Sequence, residues 1–364
     1  MNILFVGPLP PPLTGHSLVD KVLLDALKIK HSIKIINTSK DGFAGGIDSF
    51  KRIHQVISIF ILIWKARKNN DAIYLTISES IAGNLKDILI YIICFKSLHK
   101  MVIHLHGGSF KRDVLKRHII LFQINKFFIG KLKQVIISGK SHLDIFSNVI
   151  DESKIVIIPN FAEDELFIDE SIIIEKFNHI DIINVLFISN LIEGKGFQEL
   201  ADAFLDLDDN SKQKFSINIA GGADLGDLKT KYFLEKISKE KNIHYHGFIN
   251  KDQKIKLLEK AHVLCFPSSL LEGQGLVVLE AYASGCVVIT TASGGIKDIF
   301  ENSVNGFQVK VNSSASIKQS LEHIMRNPEK LISIALNNRQ IAFEKYRMNT
   351  YTSNVLSVIE KPVL

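Results

Sequence analysis

The chain has 364 residues, and 46% of them are hydrophobic, so it can form two domains of ordinary size with large cores. Its three cysteines form neither a metal-binding spacing nor a disulfide framework, which excludes a disulfide-rich secreted domain and favours a reducing, cytoplasmic compartment. The net charge of +6 is uneven, because residues 1–165 carry 22 Lys and Arg against 14 Asp and Glu, and the remainder is net negative.

The basic first part of the chain predicts an anionic partner. It contains no helix-turn-helix pattern, zinc finger or interleaved aromatic platform, so nucleic acid is not the expected partner. No apolar run reaches the ~20 residues that cross a bilayer, and the opening MNILFV lacks the basic start of a secretory signal. We therefore expect an anionic membrane face or a phosphate-bearing substrate, although a solvated lysine-rich surface would give the same charge.

Short β-branched runs alternate with helical patterns from the first residue onward. The strands predicted in the first part are 2–6, 32–37, 72–76, 101–105, 134–138 and 155–158. The helical patterns between them are near 16–29, 50–68, 79–97, 112–129 and 140–148. This alternation predicts βα units, which build a parallel sheet with helices on both faces.

The helical pattern at 50–68 is strongly apolar and has basic residues at both ends, in the segment FKRIHQVISIFILIWKARKNN. Such a helix can dock on an anionic membrane face. It can equally be a buried helix that packs on the sheet. Both interpretations remain open from the sequence.

The segment IPNFAEDELF (158–167) interrupts the alternation with Pro, Asn and a cluster of acids, and it predicts a linker. Strands are then predicted at 184–189, 215–220, 243–246, 263–266, 286–290 and 306–309, and from about residue 329 the chain is helical. We therefore predict two doubly wound α/β domains, with a ligand at the carboxyl ends of the strands. The predicted domains are 1–162, rejoined by the C-terminal helix 345–364, and 163–344.

The segment LLEGQGLVVLEAYASG (270–285) contains two glutamates, Glu272 before a predicted helix and Glu280 on it. If the span were helical, eight residues would rise about 12 Å. That is more than the ~5–10 Å usual for two carboxylates that share one bond-breaking event. Carboxylates accept hydrogen bonds from hydroxyls, and glycines before a helix let backbone amides approach a phosphate. The segment therefore predicts a sugar nucleotide, although one capping and one buried glutamate would give the same spacing.

This segment resembles the E-x7-E signature of retaining glycosyltransferases with the GT-B architecture, in particular family 4, the glycosyl transferases of group 1. FISNLIEGKGFQELADAF resembles the family's G-R-L-x-x-x-K-G segment, and IPNFAEDELF resembles its interdomain stretch. Further resemblances are found in LPPPLTGHS, HLHGGSF, YHGFI and ASGGIKDIFENSVNGFQV. The resemblance implies two Rossmann-like domains that face each other across a cleft, with the acceptor on the first domain and the donor on the second.

The resemblance also implies roles for residues of the signature segment. Glu280 would bind the ribose hydroxyls, and Glu272 would contact the hydroxyls of the donor sugar. The backbone amides around Gly273, Gly275 and Leu276 would meet the sugar or the diphosphate. These residues form the predicted donor site.

Lys195 matches the family lysine that neutralises the departing diphosphate, a role that is needed because negative charge grows on the leaving phosphate. The family usually has an arginine five residues earlier, where this chain has Asn190. An amide can donate a hydrogen bond but carries no charge. Either another cation neutralises the phosphate or Lys195 contributes more of the positive charge. The sequence leaves open whether Asn190 weakens catalysis.

In the first domain the resemblance points to Gly15 and His106. Gly15 lies in the loop after the first strand, where the family has a glycine pair near the diphosphate, and a rigid turn that caps the first helix is the alternative interpretation. His106 follows the strand MVIHL and would face the cleft near the donor sugar, as the third catalytic residue beside Glu272 and Lys195. His104 lies within the strand and is expected to pack.

No Asp-x-Asp motif occurs in a suitable loop, so neither a metal nor a cofactor is expected, and the substrate is expected to be a UDP-linked sugar. The segment AGGADLG (220–226) lacks the G-x-G-x-x-G spacing and predicts a turn, which makes a dinucleotide oxidoreductase the weakest alternative.

The predicted function is retaining transfer of a hexose or N-acetylhexosamine to a hydroxyl of a lipid-linked glycan, in bacterial O-antigen or capsule synthesis. The enzyme would be cytoplasmic, or peripheral on the inner face of the plasma membrane. The alternatives are a non-catalytic nucleotide-sugar-binding subunit, which Asn190 and the single Gly15 favour, and a sugar-nucleotide epimerase of the same two-domain shape.

Overall fold

The computed structural model describes residues 1–39, 49–178 and 180–362. The chain forms two units: unit 1 comprises Met1–Asn160 and Asn349–Leu364, and unit 2 comprises Phe161–Met348. Within the described residues, each unit contains a six-stranded sheet in which every pair of neighbouring strands is parallel. The predicted fold class, two α/β units with parallel sheets, is confirmed.

The strands follow the predicted positions closely. In unit 1 they are β1 (Asn2–Gly7), β2 (Ser32–Asn37), β3 (Ala72–Thr76), β4 (Met101–Leu105), β5 (Gln134–Ile137) and β6 (Ile155–Ile157). In unit 2 they are β7 (Ile183–Ile188), β8 (Phe215–Ala220), β9 (Ile243–Tyr245), β10 (Val263–Phe266), β11 (Val287–Thr290) and β12 (Gly306–Gln308). The strand orders are β2-β1-β3-β4-β5-β6 and β12-β11-β10-β7-β8-β9.

Helices connect the strands in both units. The first six are α1 (Gly15–Lys30), α2 (Ser49–Ala66), α3 (Ile81–Ile93), α4 (Ile119–Ile129), α5 (Leu143–Phe146) and α6 (Glu170–Asn178). The next four are α7 (Phe197–Leu205), α8 (Asp209–Lys212), α9 (Leu228–Ile237) and α10 (Lys251–Lys260). The last four are α11 (Leu276–Ala283), α12 (Ser314–Arg326), α13 (Leu331–Lys345) and α14 (Met348–Glu360).

The central strands form because their sequences are almost entirely apolar and β-branched. All residues of β10 (VLCF) and β11 (VVIT) are buried, as are all five residues of β3. A strand in the middle of a parallel sheet has helices over both faces, so it needs apolar side chains at successive positions and not at alternate ones. These strands form the centre of the core of each unit.

Helix α1 begins one residue earlier than predicted. The Thr14 side chain accepts a hydrogen bond from the Ser17 amide, and the Ser17 hydroxyl accepts one from the Thr14 amide, which is a capping box. Gly15 is therefore the first residue of α1, and its placement in the preceding loop is corrected. The capping box fixes this boundary, and the interpretation of the sequence did not use it.

The pattern at 112–129 does not form one continuous helix. A π-helical turn covers Lys111–Leu115, and α4 begins only at Ile119. The His118 side chain accepts a hydrogen bond from the Ile120 amide at 3.2 Å and so caps α4. Because this side chain supplies a cap, the chain can start a new helix here.

The C-terminal helix α14 packs in unit 1. Tyr351, Val355 and Ile359 are buried. The Lys133 ammonium donates a hydrogen bond to the Ile359 carbonyl at 2.8 Å. Unit 1 is therefore built from two separate stretches of the chain.

Candidate active site

Lys195 and Glu272 form an ion pair in unit 2. The Lys195 Nζ lies 2.8 Å from Oε1 and 3.0 Å from Oε2 of Glu272. Their side chains are 19% and 12% exposed, so solvent still reaches both groups. The buried Ser268 hydroxyl also donates to Glu272 Oε1. The structure thus brings together the predicted phosphate-binding cation and the predicted sugar-binding acid, and it adds a serine that the sequence did not indicate.

The backbone around Lys195 requires glycine on both sides. Gly194 and Gly196 have φ angles of +88° and +92°, which side chains rarely adopt. A Cβ on Gly196 would lie 2.6 Å from the Pro267 carbonyl oxygen, and the Ser269 amide donates to the Gly194 carbonyl at 2.7 Å. The Lys195 loop after β7 is therefore held tightly against the segment that follows β10, the neighbouring strand.

The loop after β11 supports the backbone of Glu272. The Gly295 amide donates to the Glu272 carbonyl at 3.0 Å. Gly273 is half-buried, and Gly275 has a φ of +63° and directly precedes Leu276, the first residue of α11. Three adjacent strands thus end at this group of residues, as expected for a ligand site in a parallel sheet.

Glu280 is nearly buried on α11, with a side chain that is 7% exposed. The Lys254 Nζ lies 2.7 Å from Glu280 Oε1 and 3.0 Å from Glu163 Oε2. Burial lowers the pKa of Lys254, but the two carboxylates more than offset this, and the net pKa is raised. Burial raises the pKa of Glu163, but Lys254 and Lys251 lower it below its ordinary value. The predicted ribose-binding acid is thus held by a cation that the sequence did not indicate.

Asn190 supports a turn. Its side-chain Oδ1 accepts a hydrogen bond from the Gly222 amide at 3.2 Å. Gly222 lies in the segment 220–226, which leaves β8 without entering a helix, in agreement with the predicted turn. The amide oxygen of Asn190 therefore has a structural contact that the sequence did not predict.

His106 in unit 1 is buried, with a side chain that is only 2% exposed. Its Nε2 lies 3.3 Å from Oδ1 of Asp20, a buried acid of α1 that sequence analysis missed. The signal for it was present, because Asp20 follows Val19 and precedes Leu23 on the apolar side of α1. His104 packs as predicted: it is fully buried, it contacts the Tyr74 hydroxyl at 2.8 Å, and burial lowers its pKa.

Unit 1 contains a cavity of about 780 Å³ at the carboxyl ends of β1 and β3. One part of its lining is polar and includes Thr14, His16, Ser78, Glu79 and Lys86. The other part is apolar and comes mainly from α2 and α3, with Val56, Ile59, Phe60, Leu85 and Leu89. Such a lining suits a ligand that has a polar part and an aliphatic part.

The outer side of α2, α3, α4 and the 3₁₀ turn Phe95–Lys100 exposes many large apolar side chains. Helix α2 contacts α3, and α3 contacts α4, so the three helices are neighbours. We call the following exposed residues the apolar face: Ile57, Ile61, Trp64, Leu85, Leu89, Ile92, Phe95, Ile119, Ile120 and Phe127. Because Ile59 and Ile63 of α2 are buried, this helix packs on the sheet and also contributes to the exposed face.

The sequence around the apolar face is basic. Residues 54–133 contain 13 Lys and Arg but only four Asp and Glu. No helix in the described ranges is both long and apolar enough to cross a bilayer. The same described residues contain no cluster of three or more His, Cys, Asp and Glu that could hold a metal ion, and the expectation of a metal-independent site stays a prediction.

Comparison with known proteins relates the chain to glycosyltransferases. Residues 172–341 match the family described as glycosyl transferases group 1. An uncharacterized glycosyltransferase of Methanocaldococcus jannaschii is 28% identical over 178 residues, which cover 48% of this chain and 44% of that protein. The chain spans about half the length of the first curated relatives that it matches.

Solved structures share the fold over nearly the whole chain. HepE of Anabaena, in complex with UDP and glucose, has a TM-score of 0.74 at 17% identity, and the match covers 99% of both chains. WaaG, a glycosyltransferase involved in lipopolysaccharide biosynthesis, has a TM-score of 0.72 at 14% identity and covers 98% of this chain and 99% of that one. Residues 172–341 therefore resemble the glycosyl transferases of group 1, and the chain has the fold of solved GT-B glycosyltransferases.

Proposed function

We propose that the whole chain is a retaining glycosyltransferase of family 4, which moves a hexose or N-acetylhexosamine from a nucleotide-diphosphate sugar to a hydroxyl. The observation that carries the proposal is the Lys195–Glu272 ion pair at the carboxyl ends of β7 and β10. It combines a cation for the leaving diphosphate with an acceptor for sugar hydroxyls in one place. The HepE complex with UDP and glucose supports uridine as the nucleoside of the donor.

The signature segment supplies the rest of the donor site in this proposal. Glu272 accepts hydrogen bonds from sugar hydroxyls, while the amides that follow Gly273 and Gly275 meet the diphosphate at the start of α11. Glu280 accepts hydrogen bonds from the ribose hydroxyls. Because the Lys254 Nζ lies 2.7 Å from Glu280 Oε1, this ion pair holds the carboxylate in its orientation when a nucleotide binds.

The reaction breaks the bond between the anomeric carbon and the diphosphate oxygen. The acceptor hydroxyl attacks from the face that the diphosphate leaves, and its proton passes to the departing phosphate oxygen, so the anomeric configuration is retained. Lys195 stabilises the negative charge that develops on the diphosphate. His106 is the group of unit 1 that we propose to act near the donor sugar. The Gly15 segment would lie near the diphosphate.

The test is to incubate the purified chain with a panel of nucleotide sugars and acceptors and to measure release of nucleoside diphosphate. Lys195→Ala should lower the transfer rate by at least about 100-fold, the usual effect of removing one group that stabilises transition-state charge. Glu272→Ala should also lower the rate, because it removes the acceptor of the sugar hydroxyls and the partner that positions Lys195. Lys229→Ala is the matched control. Lys229 also pairs with a glutamate, Glu193, which lies two positions before Lys195, but both side chains of this pair are exposed. This control should keep the wild-type rate.

Unchanged turnover in both active-site variants would contradict the assignment of the site. Binding of nucleoside diphosphate without turnover for any acceptor would favour a non-catalytic subunit. Conversion of the donor sugar in the absence of any acceptor would favour an epimerase. Nuclear magnetic resonance of the product distinguishes retention from inversion at the anomeric carbon.

For the acceptor, we propose a lipid-linked glycan of a bacterial surface polysaccharide, such as O-antigen or capsule. The cavity in unit 1 supports this class of acceptor, because its polar lining suits a sugar and its apolar lining from α2 and α3 suits an aliphatic chain. The apolar face, with its basic surroundings, supports a peripheral position on an anionic membrane at the cytoplasmic side. Mass spectrometry of the lipid-linked product tests this proposal, and products formed only on water-soluble glycans would contradict it.

A further inference from the structure

A buried polar cluster surrounds Asp20 in unit 1. Asp20 is fully buried on α1, and its carboxylate accepts hydrogen bonds from the Thr76 hydroxyl at 2.8 Å to each oxygen. The Tyr74 hydroxyl and the His106 Nε2 each lie 3.3 Å from Oδ1. A buried carboxylate needs such a set of donors, because without partners the loss of its hydration would not be compensated. The side chains of the cluster therefore supply the hydrogen bonds that the buried Asp20 carboxylate needs.

The backbone of β1 leaves room for this carboxylate. A Cβ on Gly7 would lie 2.3 Å from Asp20 Oδ2. Any side chain at position 7 would therefore displace the acid. The end of β1, the buried face of α1 and the ends of β3 and β4 together hold Asp20 in place.

The contact with Asp20 determines which nitrogen of His106 carries a proton. Because Oδ1 of Asp20 accepts hydrogen bonds from the Thr76 and Tyr74 hydroxyls, we assign the Nε2 of His106 as a further donor to the same oxygen. The other ring nitrogen, Nδ1, is buried and has no hydrogen-bond partner among the described residues. In the neutral ring, Nδ1 is then an acceptor without a donor. Such an atom destabilises the protein unless a partner binds to it, because its desolvation is not compensated.

The neighbouring His104 does not replace His106 as the histidine that pairs with Asp20. The ring of His104 lies 4.0 Å from the ring of His106, and its Nδ1 is 2.8 Å from the Tyr74 hydroxyl. Burial lowers the pKa of His104, and the nearby His106 and His16 lower it further, so His104 stays neutral. His106 is thus the histidine of this cluster that contacts the acid.

We propose that Asp20 is a positioning residue that fixes the ring of His106 with its proton on Nε2 and so leaves Nδ1 to accept a hydrogen bond from a hydroxyl of a bound sugar. The nature of the ligand rests on the proposed function, whereas the arrangement of Asp20 and His106 does not. Asp20 does not touch the reacting atoms in this proposal. It acts through His106.

The first test needs no activity, and its only variant serves to assign the signals. The nitrogen chemical shifts of His106 in protein with ¹⁵N-labelled histidine report which ring nitrogen carries the proton, and His106→Gln assigns the signals. At pH 8 we expect a protonated Nε2 and an unprotonated Nδ1. A proton on Nδ1, or on both nitrogens, would overturn the proposal even if the chain proves to be an active glycosyltransferase.

The second test is the substitution Asp20→Asn. The asparagine amide can donate to Nε2, which would move the proton of the ring to Nδ1. We expect kcat to fall about 10- to 100-fold, as when a group that orients a functional histidine is removed. The KM for the nucleotide sugar should change less than about twofold, whereas a general loss of structure would affect both constants. Unchanged kcat together with an unchanged proton position would overturn the role of Asp20.

Asp87→Asn is the matched control. Asp87 is also a fully buried carboxylate of unit 1, and its Oδ2 accepts a hydrogen bond from the Ser78 amide at 2.7 Å. It has no hydrogen bond to a histidine in the described structure, so its substitution should leave the proton on Nε2 of His106. A change in both variants would mean that loss of any buried acid disturbs the ring, and it would overturn the specific role of Asp20. If no sugar transfer is found, the kinetic test fails with the proposed function, and the nitrogen chemical shifts still decide the proposal.

Discussion

At the scale of single residues, the main finding in unit 2 is that both acids of the signature segment are held by lysines. Glu272 pairs with Lys195, which the sequence indicated, and Glu280 pairs with Lys254, which it did not. Lys254 lies on α10, 26 positions before Glu280, and no local pattern connects the two. Pairings of this kind depend on how helices pack, so they become visible only in three dimensions.

The position of Lys254 between two carboxylates predicts a large effect on stability. Lys254→Met leaves Glu280 and Glu163, both at most 10% exposed, without this cation, and we expect the free energy of unfolding to fall by about 3 kcal/mol. Urea unfolding followed by circular dichroism measures this change. The affinity for nucleoside diphosphate, measured by calorimetry, should fall as well, because Glu280 loses the group that orients it.

Lys251→Met provides the comparison for this prediction. Lys251 lies on the same helix and also pairs with Glu163, but its side chain is 44% exposed. An exposed ion pair contributes about 0–1 kcal/mol, so this variant should be almost as stable as the wild type. Equal losses in the two variants would show that burial of the Lys254 pair has no special role.

At the scale of elements, the sequence predicted the strands well and the functional contacts less well. The strands of both sheets are runs of apolar, β-branched residues, such as MVIHL and VLCF, and such runs need no knowledge of their neighbours to be recognised. The start of α1 and the interruption before α4 depend on the Thr14 and His118 side-chain caps, which are single hydrogen bonds. The same holds for the site. Glu272 and Lys195 follow from a sequence pattern. The hydrogen bond from Ser268 to Glu272 depends on the conformation of the loop that they share, and Asp20 contacts His106 only through the packing of separate elements.

The connection between β7 and α7 gives a prediction at this scale. Gly196→Ala places a Cβ against the backbone of Pro267 at a φ of +92°, and we expect a loss of about 3 kcal/mol in the free energy of unfolding, from the strained backbone and the steric overlap together. The segment that carries Lys195 must then shift, so sugar transfer should also fall. Urea unfolding and the release of nucleoside diphosphate measure the two effects.

Gly247→Ala separates the contribution of the strained backbone from that of the steric overlap. Gly247 also has a positive φ, +64°, but no atom lies within 4 Å of its added Cβ. This variant should lose only about 1 kcal/mol, which is the cost of the left-handed conformation alone. If both variants lost the same amount, steric contact with Pro267 would not be what holds the Lys195 segment in place.

At the scale of the whole molecule, charge and apolar surface are concentrated in the same part of the chain. Residues 1–165 have a net charge of +8, and the remainder has a net charge of −2. The apolar face belongs to the basic part, within unit 1. An exposed apolar surface with basic surroundings gains free energy from both hydrophobic insertion and attraction to anionic lipids. The proposed membrane contact therefore predicts binding that depends on salt and on particular helices.

The chain should bind vesicles that contain phosphatidylglycerol at low salt and should bind far less at 0.5 M NaCl, where charges are screened over a few ångströms. Trp64, the only tryptophan of the chain, is 58% exposed on the apolar face, so its fluorescence should shift to the blue on binding. The double substitution Ile92→Ser and Ile120→Ser removes two exposed apolar side chains and should weaken binding at least about tenfold.

The control for membrane binding is Leu228→Ser on α9 of unit 2. Leu228 is 79% exposed, more than either isoleucine of the double variant, but it lies outside the apolar face. If hydrophobic exposure alone determined binding, this variant would also bind more weakly, whereas docking through α2, α3 and α4 requires that it bind like the wild type. Absence of vesicle binding by the wild type at low salt would exclude the membrane contact, and the apolar lining of the unit 1 cavity would then have to be explained by a water-soluble acceptor.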